Sequence, residues 1–247
     1  MQHRAPQEWY HEWFGDDYLL VYTHRSRALA CGEVDFVIDA LELSPKDRIL
    51  DMTCGAGRHL GWLLKKGFDV VGADLSIPLL KRAAADLEEF SPRLVRHDMQ
   101  FLPFRAKSYT AVLSFFTSFG YQASDLQNLE VLKEVRRVLI ADGSFMLDYF
   151  NPVGAVDNLV AQSEREIPGG SVFEQRSYDS SSRRINKEIV ITDERGVRRY
   201  RESVRLYTKV ELLSMFEKAG FRDIKLFGDF HGSDYGDQSS RLILVAE

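Results

Sequence analysis

The sequence predicts an α/β fold: a doubly wound, mostly parallel seven-stranded sheet with a small antiparallel β insertion and an N-terminal helical cap. Three observations carry this. Short apolar runs alternate with longer amphipathic ones through the middle of the chain, as strands joined by crossover helices do. Residues 169–207 break that rhythm with period-two alternation. Ahead of the first strand, Trp9, Tyr10, Trp13, Phe14, Tyr18 and Tyr22 crowd aromatic rings into one short segment.

Taken in order, the apolar runs at 48–52, 69–73, 94–97, 109–115 and 144–149 predict strands buried on both faces. Amphipathic segments at 58–66, 78–89 and 126–140 predict the helices between them. Ser76 and Ser124 stand where N-caps belong, and Gly67 and Gly143 where helices or their following turns end. A helix at 209–219, a stop at Gly220 and strands at 224–228 and 241–246 complete the sheet. Within the insertion, 172–178, 186–192 and 198–207 alternate, separated by Ser180-Ser181-Ser182 and Glu194-Arg195-Gly196. That spacing predicts three antiparallel strands. Residues 1–168 and 208–247 then form the main domain and 169–207 a lid, since elements laid over a sheet edge commonly cover a pocket.

At 247 residues the chain buries a core without disulfides, and no structural metal is expected. With 45% hydrophobic and 28% charged residues, it is neither disordered nor fibrous. The longest apolar stretch, 109–116, falls far short of the ~20 residues that span a bilayer. A polar start and only two cysteines, Cys31 and Cys54, predict a cytoplasmic protein. The net charge of −5 disfavours an obligate polyanion binder. That charge is unevenly spread: 169–207 holds nine Arg and Lys against six Asp and Glu, a net +3 that leaves −8 elsewhere. Arg198, Arg199, Arg201 and Arg205 close the insertion, which makes Arg205 the candidate for an acidic or phosphorylated substrate.

The chemistry concentrates at 49–57, where Ile49-Leu50-Asp51 runs through Met52, Thr53 and Cys54 into Gly55-Ala56-Gly57. A strand entering a glycine turn places a ligand at the carboxyl end of the sheet. A dinucleotide site needs a third glycine where Leu60 stands; Gly61 comes one residue late. Asp51 beside the turn repels a pyrophosphate and attracts an ammonium group. Asp74 ends the second strand where an acid grips a ribose diol. Asp98, after the third strand, is placed to accept from an adenine amino group. Three carboxylates at three successive strand ends suit an uncharged nucleoside with an aminoacyl tail.

The segments 49–59 (ILDMTCGAGRH), 70–76 (VVGADLS), 96–104 (RHDMQFLPF), 114–121 (SFFTSFGY) and 134–151 together resemble the class I S-adenosylmethionine-dependent methyltransferases, in that family's order and spacing. The resemblance implies a Rossmann-like sheet and S-adenosyl-L-methionine as cofactor. It implies that Asp51 holds the methionine ammonium beside Thr53, Cys54, Gly55 and Gly57, with Thr53 standing where the family commonly has glycine. Asp74 takes the ribose, Leu75 packs on adenine, and Asp98 and Met99 meet the adenine amino edge and ring. Ser114 and Phe115 line the sulfonium end, and Cys54 is a small apolar turn residue. The lid and terminal strands are similar to small-molecule members, including amino-sugar and glycine N-methyltransferases. The expected reaction is methyl transfer to N or O of a small molecule by in-line displacement.

Around the methyl group the candidates are Tyr22, which shares a helix face with Tyr18, then His24, Tyr121 and, for substrate binding, His231 near Tyr235. Two alternatives remain: an RNA (tRNA) base-modifying methyltransferase and a noncatalytic cofactor-binding subunit. Against RNA stand the acidic net charge and Ser114-Phe115-Phe116-Thr117, where many base-amino methyltransferases carry Asn/Asp-Pro-Pro-aromatic. A monomer or homodimer is expected.

Overall fold

The computed structural model of the chain describes residues 9–22 and 27–247. The predicted strands appear as β1 (Arg48–Asp51), β2 (Asp69–Asp74), β3 (Arg93–Arg96), β4 (Tyr109–Ser114), β5 (Leu139–Phe150), β10 (Lys225–Phe227) and β11 (Arg241–Ala246). They form one seven-stranded sheet in the order β10-β11-β5-β4-β1-β2-β3. β1 pairs in parallel with β2 and β4, while β11 runs antiparallel to both β5 and β10. The order reverses beside β1, so the ends of β1, β2 and β4 open onto a crevice.

Helices cover both faces. α6 (Asp125–Val138) and α8 (Lys209–Ala219) bury Val131, Leu132, Val135, Leu212 and Phe216 on one side of the sheet. α3 (Arg27–Ala40), α4 (Arg58–Lys65) and α5 (Ile77–Asp86) bury Val34, Leu60, Leu63 and Leu80 on the other. Their ends follow the sequence signals. Ser76 accepts from Leu79 N, Ser124 and Gln127 form a capping box, and so do Thr208 and Glu211. Gly220 closes α8 at φ +95°. Gly143 does not end a helix: α6 passes straight into β5, which contains Gly143 and bulges against β4 between Tyr109 and Ala111.

The insertion is larger than predicted. β6 (Gln162–Ile167), β7 (Gly170–Asp179), β8 (Arg184–Asp193) and β9 (Gly196–Arg205) form a separate antiparallel sheet in that order. β6 reads Gln-Ser-Glu-Arg-Glu-Ile and buries only its last residue, so it carries no apolar face for periodicity to detect. The cap consists of α1 (Trp9–Trp13) and α2 (Asp16–Val21), packed on this sheet rather than on the main one. Trp9, Trp13 and Val21 share a core with Ile167, Val172, Ile189 and Ile191. α7 (Pro152–Asp157) links the two sheets along the chain. Among the described residues, no helix is long and apolar enough to cross a membrane.

Candidate active site

A cavity of about 840 Å³ lies between the carboxyl ends of the main-sheet strands, the aromatic cap and the insertion sheet. Its floor begins at the glycine turn. Gly55 and Gly57 adopt φ +53° and +80°. A β-carbon on Gly57 would lie 2.8 Å from Leu87 Cδ1 and 3.1 Å from Ala83 Cβ, so that glycine lets α4 pack against α5. Gly55 N donates to Asp74 Oδ2 at 2.9 Å, and Ser76 N donates to Asp74 Oδ1 at 2.9 Å. The carboxylate that ends β2 therefore also fixes the turn after β1.

Asp51 lies beneath this turn, fully buried; the Thr53 backbone N–H lies near its carboxylate, but neither oxygen has a well-formed hydrogen bond. Burial, and then the nearby Asp74 carboxylate, push its pKa up to about 7. A buried carboxyl without well-formed hydrogen bonds costs free energy unless a ligand completes it. Thr53 lines the cavity with its hydroxyl unpartnered. Its backbone is not left-handed, which is why a threonine stands there without strain. Cys54 also lines the cavity; burial, then Asp51 and Asp74, push its thiol well up, so it is an inert wall and not a nucleophile.

The remaining cofactor candidates converge. Leu75, Asp98, Met99 and Phe115 all border the cavity, and Asp98 Oδ1 accepts from Gln100 N at 2.9 Å in a tight turn. Ser114 is buried at the end of β4 with its hydroxyl unpartnered. After it, Phe116 and Thr117 are consecutive left-handed residues, at φ +65° and +58°. Asp148 of β5 holds this strained pair: its Oδ2 accepts from Phe116 N at 2.7 Å, and its carbonyl from Thr117 N at 2.9 Å.

Sequence reasoning missed two histidines here. His59 lines the cavity with its ring stacked on Phe115, centroids 3.7 Å apart and planes 10° from parallel. Its Nε2–H donates to Glu33 Oε2 at 2.5 Å, and burial drives its pKa down to about 4, so it is neutral near pH 7. His97 also borders the cavity and is buried; its Nε2–H donates to the Met52 carbonyl at 2.9 Å, leaving Nδ1 unpartnered. Both adjoin motifs the sequence showed, GAGRH and RHDM.

Opposite the floor, the cap supplies aromatic walls. Tyr121 reaches Trp9 at 4.9 Å and stacks on Tyr10 at 6.2 Å and Phe14 at 6.1 Å between centroids. Tyr22 lines the far end. Its hydroxyl accepts from Lys187 Nζ and donates to Glu202 Oε1 at 3.2 Å. Lys187 and Glu202, cross-strand partners in β8 and β9, pair at 2.7 Å; neither was singled out in the sequence, because their meeting depends on register.

Other candidates do not reach the site. Arg205 is buried outside the cavity, with Nη2 on Glu211 at 3.0 Å, Nε 3.3 Å from Asp125 and Nη1 on the Leu206 carbonyl at 2.5 Å. It is a structural tie and not a substrate ligand. His231 is exposed beside a separate shallow groove with Phe36 and Phe230, and the Tyr235 hydroxyl donates to Asn151 Oδ1. His24 lies outside the described residues. The basic insertion is partly neutralised: Arg195 and Arg198 bind Asp193 and, in α2, Asp17, and Arg183 binds Glu211 of α8, while Arg199 and Arg201 stay exposed.

The residues present fit S-adenosylmethionine. A buried carboxylate without a well-formed hydrogen bond lies at the end of β1, a second carboxylate ends β2 on the glycine turn, and a third follows β3. Among the described residues, no cluster of His, Cys, Asp and Glu is arranged to hold a metal ion.

Residues 49–143 match the model of a methyltransferase domain family. Over 235 residues the chain is 31% identical to a glycine/sarcosine N-methyltransferase of Halorhodospira halochloris, covering 88% of this chain and 81% of that one. It is 25% identical to a dTDP-3-amino-3,6-dideoxy-alpha-D-glucopyranose N,N-dimethyltransferase of Streptomyces fradiae, covering 87% and 86%. Among solved structures, the CcbJ methyltransferase of Streptomyces caelestis superposes with a TM-score of 0.80 at 19% identity, covering 95% of this chain and 97% of that one.

Proposed function

The chain belongs to the class I S-adenosylmethionine-dependent methyltransferases, and from that premise we propose that it methylates a nitrogen of a small molecule held beneath the insertion sheet. The observation that carries the reading is Asp51, a buried carboxylate with no well-formed hydrogen bond beside the glycine turn. Nitrogen as acceptor is supported by the relatives, a glycine/sarcosine N-methyltransferase and an amino-sugar N,N-dimethyltransferase.

When bound, S-adenosylmethionine supplies a sulfonium methyl group already activated for displacement. What the chain adds is placement. Asp51 holds the ammonium, Asp74 the ribose hydroxyls, and Asp98 with Met99 the adenine. Phe115 and the loop after it close the sulfonium end, and the aromatic cap keeps water out. Orientation of this kind is worth about 7–11 kcal/mol, which leaves modest work for a base. Tyr121, after β4, is the cavity tyrosine placed to accept a hydrogen bond from the acceptor nitrogen, while Tyr22 lines the far end. Pairing of Arg195, Arg198 and Arg205 with Asp17 and Glu211 reduces the basic patch that favoured RNA. Two reduced cysteines fit a cytoplasmic setting.

Asp74→Ala is expected to weaken S-adenosylmethionine by about tenfold or more in calorimetry, since it removes the ribose contact and frees Gly55 N. A dinucleotide that binds better than the methyl donor would overturn the assignment. Labelled donor incubated with fractionated extract should mark metabolites; label confined to RNA would replace this reading with the RNA one.

A further inference from the structure

The far end of the cavity holds a polar cluster that the donor does not need. We propose that it is a subsite for a hydroxyl-bearing ring, and that the methyl acceptor is a polyhydroxylated amine without an anionic group, such as an amino sugar or aminocyclitol. This rests on the methyltransferase reading above.

Charge balance comes first. Two cations of the insertion face the cavity here, Lys187 and Arg176. Each is already neutralised: Lys187 by Glu202 at 2.7 Å, and Arg176 by Glu174 at 2.5 Å. An acidic or phosphorylated acceptor would gain no net field and would have to break a built ion pair. A purely apolar acceptor would seal Lys187, Glu202 and the Tyr22 hydroxyl away from water.

Hydrogen-bond capacity decides the rest. Glu202 Oε1 is taken by Trp13 Nε1 at 2.6 Å and the Tyr22 hydroxyl at 3.2 Å, while Oε2 receives Lys187. A carboxylate oxygen accepts two bonds, so Oε2 keeps one lone pair. Lys187 donates to the Tyr22 hydroxyl and Glu202, and its third contact, with Glu174, is long at 3.7 Å. An acceptor-only group and a donor-only group with spare capacity, side by side, match a hydroxyl, which donates once and accepts twice.

Position agrees. In β8, Lys187 stands three residues beyond Arg184, which binds the carbonyls of Gly120, Tyr121 and Gln122 after β4. Lys187 and Arg184 lie on opposite faces of β8, so Lys187 faces the cavity while the loop that Arg184 holds borders the same cavity through Tyr121 and Gln122. Tyr18, Phe14 and Tyr121 line the path and offer flat faces to the C–H side of such a ring.

The test uses the full chain with labelled S-adenosylmethionine and six acceptors: glucosamine, its methyl glycoside, an aminocyclitol, glycine, sarcosine and glucosamine 6-phosphate. Label should enter at least one of the first three with kcat/KM about tenfold or more above the last three. Better turnover of an amino acid or of the phosphate overturns the proposal, as does donor binding with no transfer to any polyol. Failure to bind the donor brings down the methyltransferase reading and this one with it.

Lys187→Met and Glu202→Gln should each raise KM for the best polyol by about tenfold, with donor affinity unchanged. Because Glu202 also anchors Trp13, Tyr22→Phe is the gentler third variant, expected to raise KM by about threefold. Unchanged KM in all three, in proteins that melt like the parent, overturns the subsite.

Discussion

Asp51 is a buried carboxylate that the fold compensates only weakly, through the Thr53 backbone N–H and the distant Arg58, and its titration can be followed. Burial and the neighbouring Asp74 set its pKa near 7 in the ligand-free protein, about three units above an ordinary aspartate. A bound ammonium favours the ionised form, so below pH 7 binding must expel a proton. Donor affinity is then expected to fall about tenfold for each pH unit below 7 and to level off above it. Calorimetry in two buffers of different ionisation enthalpy should show close to one proton released per donor at about pH 6 and little at about pH 8. A flat affinity over that range would sink the assignment of the ammonium to Asp51. Stability carries the opposite sign. With a folded pKa above the unfolded one, the favourable contribution is complete below about pH 4 and is lost as pH rises through about 7. Asp51→Asn should therefore melt higher than the parent at about pH 8 without donor, while binding the donor about tenfold or more weakly.

Between elements, the informative contacts join the cap to the insertion and the insertion to the core. Asp17 of α2 is buried and accepts from Arg198 Nε at 2.6 Å, the Tyr200 hydroxyl at 2.7 Å and Arg195 Nη2 at 2.9 Å. Burial opposes its ionisation, but the bonds from Arg198 and Tyr200 outweigh it and hold its pKa below the usual value. Its stabilisation is present above about pH 4 and is lost as pH falls through the lowered folded pKa. Asp17→Asn should loosen the cap by about 1.5–3 kcal/mol, seen as faster amide exchange in α1 and α2 with exchange in β1 and β4 unchanged. Arg205 acts at the other seam. Removing this buried cation takes a partner from the exposed Asp125 and leaves Glu211 with Arg183, so Arg205→Met should cost about 1–2 kcal/mol in urea unfolding. Acceptor KM at low temperature should stay near the parent's, and a specific rise there would restore Arg205 as a substrate ligand.

At the scale of the whole molecule, what the sequence showed divides by the distance over which each feature is determined. The strand ends with Asp51, Asp74 and Asp98, and the caps Ser76, Ser124 and Gly220, are set within a few residues of chain, and all could be read. β6 could not, because its six residues have no apolar side, and neither could the pairing of Lys187 with Glu202. The surplus of arginines was visible, but the partners of Arg198 and Arg205, which are Asp17, Asp125 and Glu211, come from other elements, so part of the inferred basic face proved to be ties between elements. Arg184 is one of the ties between the insertion and the core. From β8 its buried guanidinium donates to Ser203 Oγ at 2.9 Å and to the Ser203 carbonyl at 2.7 Å. It also reaches the carbonyls of Gln122 at 3.1 Å and of Gly120 and Tyr121 at 3.2 Å. In the proposed binding mode those carbonyls belong to the loop beside the methyl site, whereas the three carboxylates assigned to the donor, Asp51, Asp74 and Asp98, follow strands of the main sheet. Lysine at 184 keeps the charge but lacks the planar fork, so most of these bonds cannot form together. Arg184→Lys is therefore expected to leave donor affinity within about threefold of the parent while lowering kcat/KM for the acceptor by about tenfold or more. Equal losses in both would mean that donor and acceptor share one rigid site. No loss in either would mean that the insertion stays closed over the cavity without this clamp.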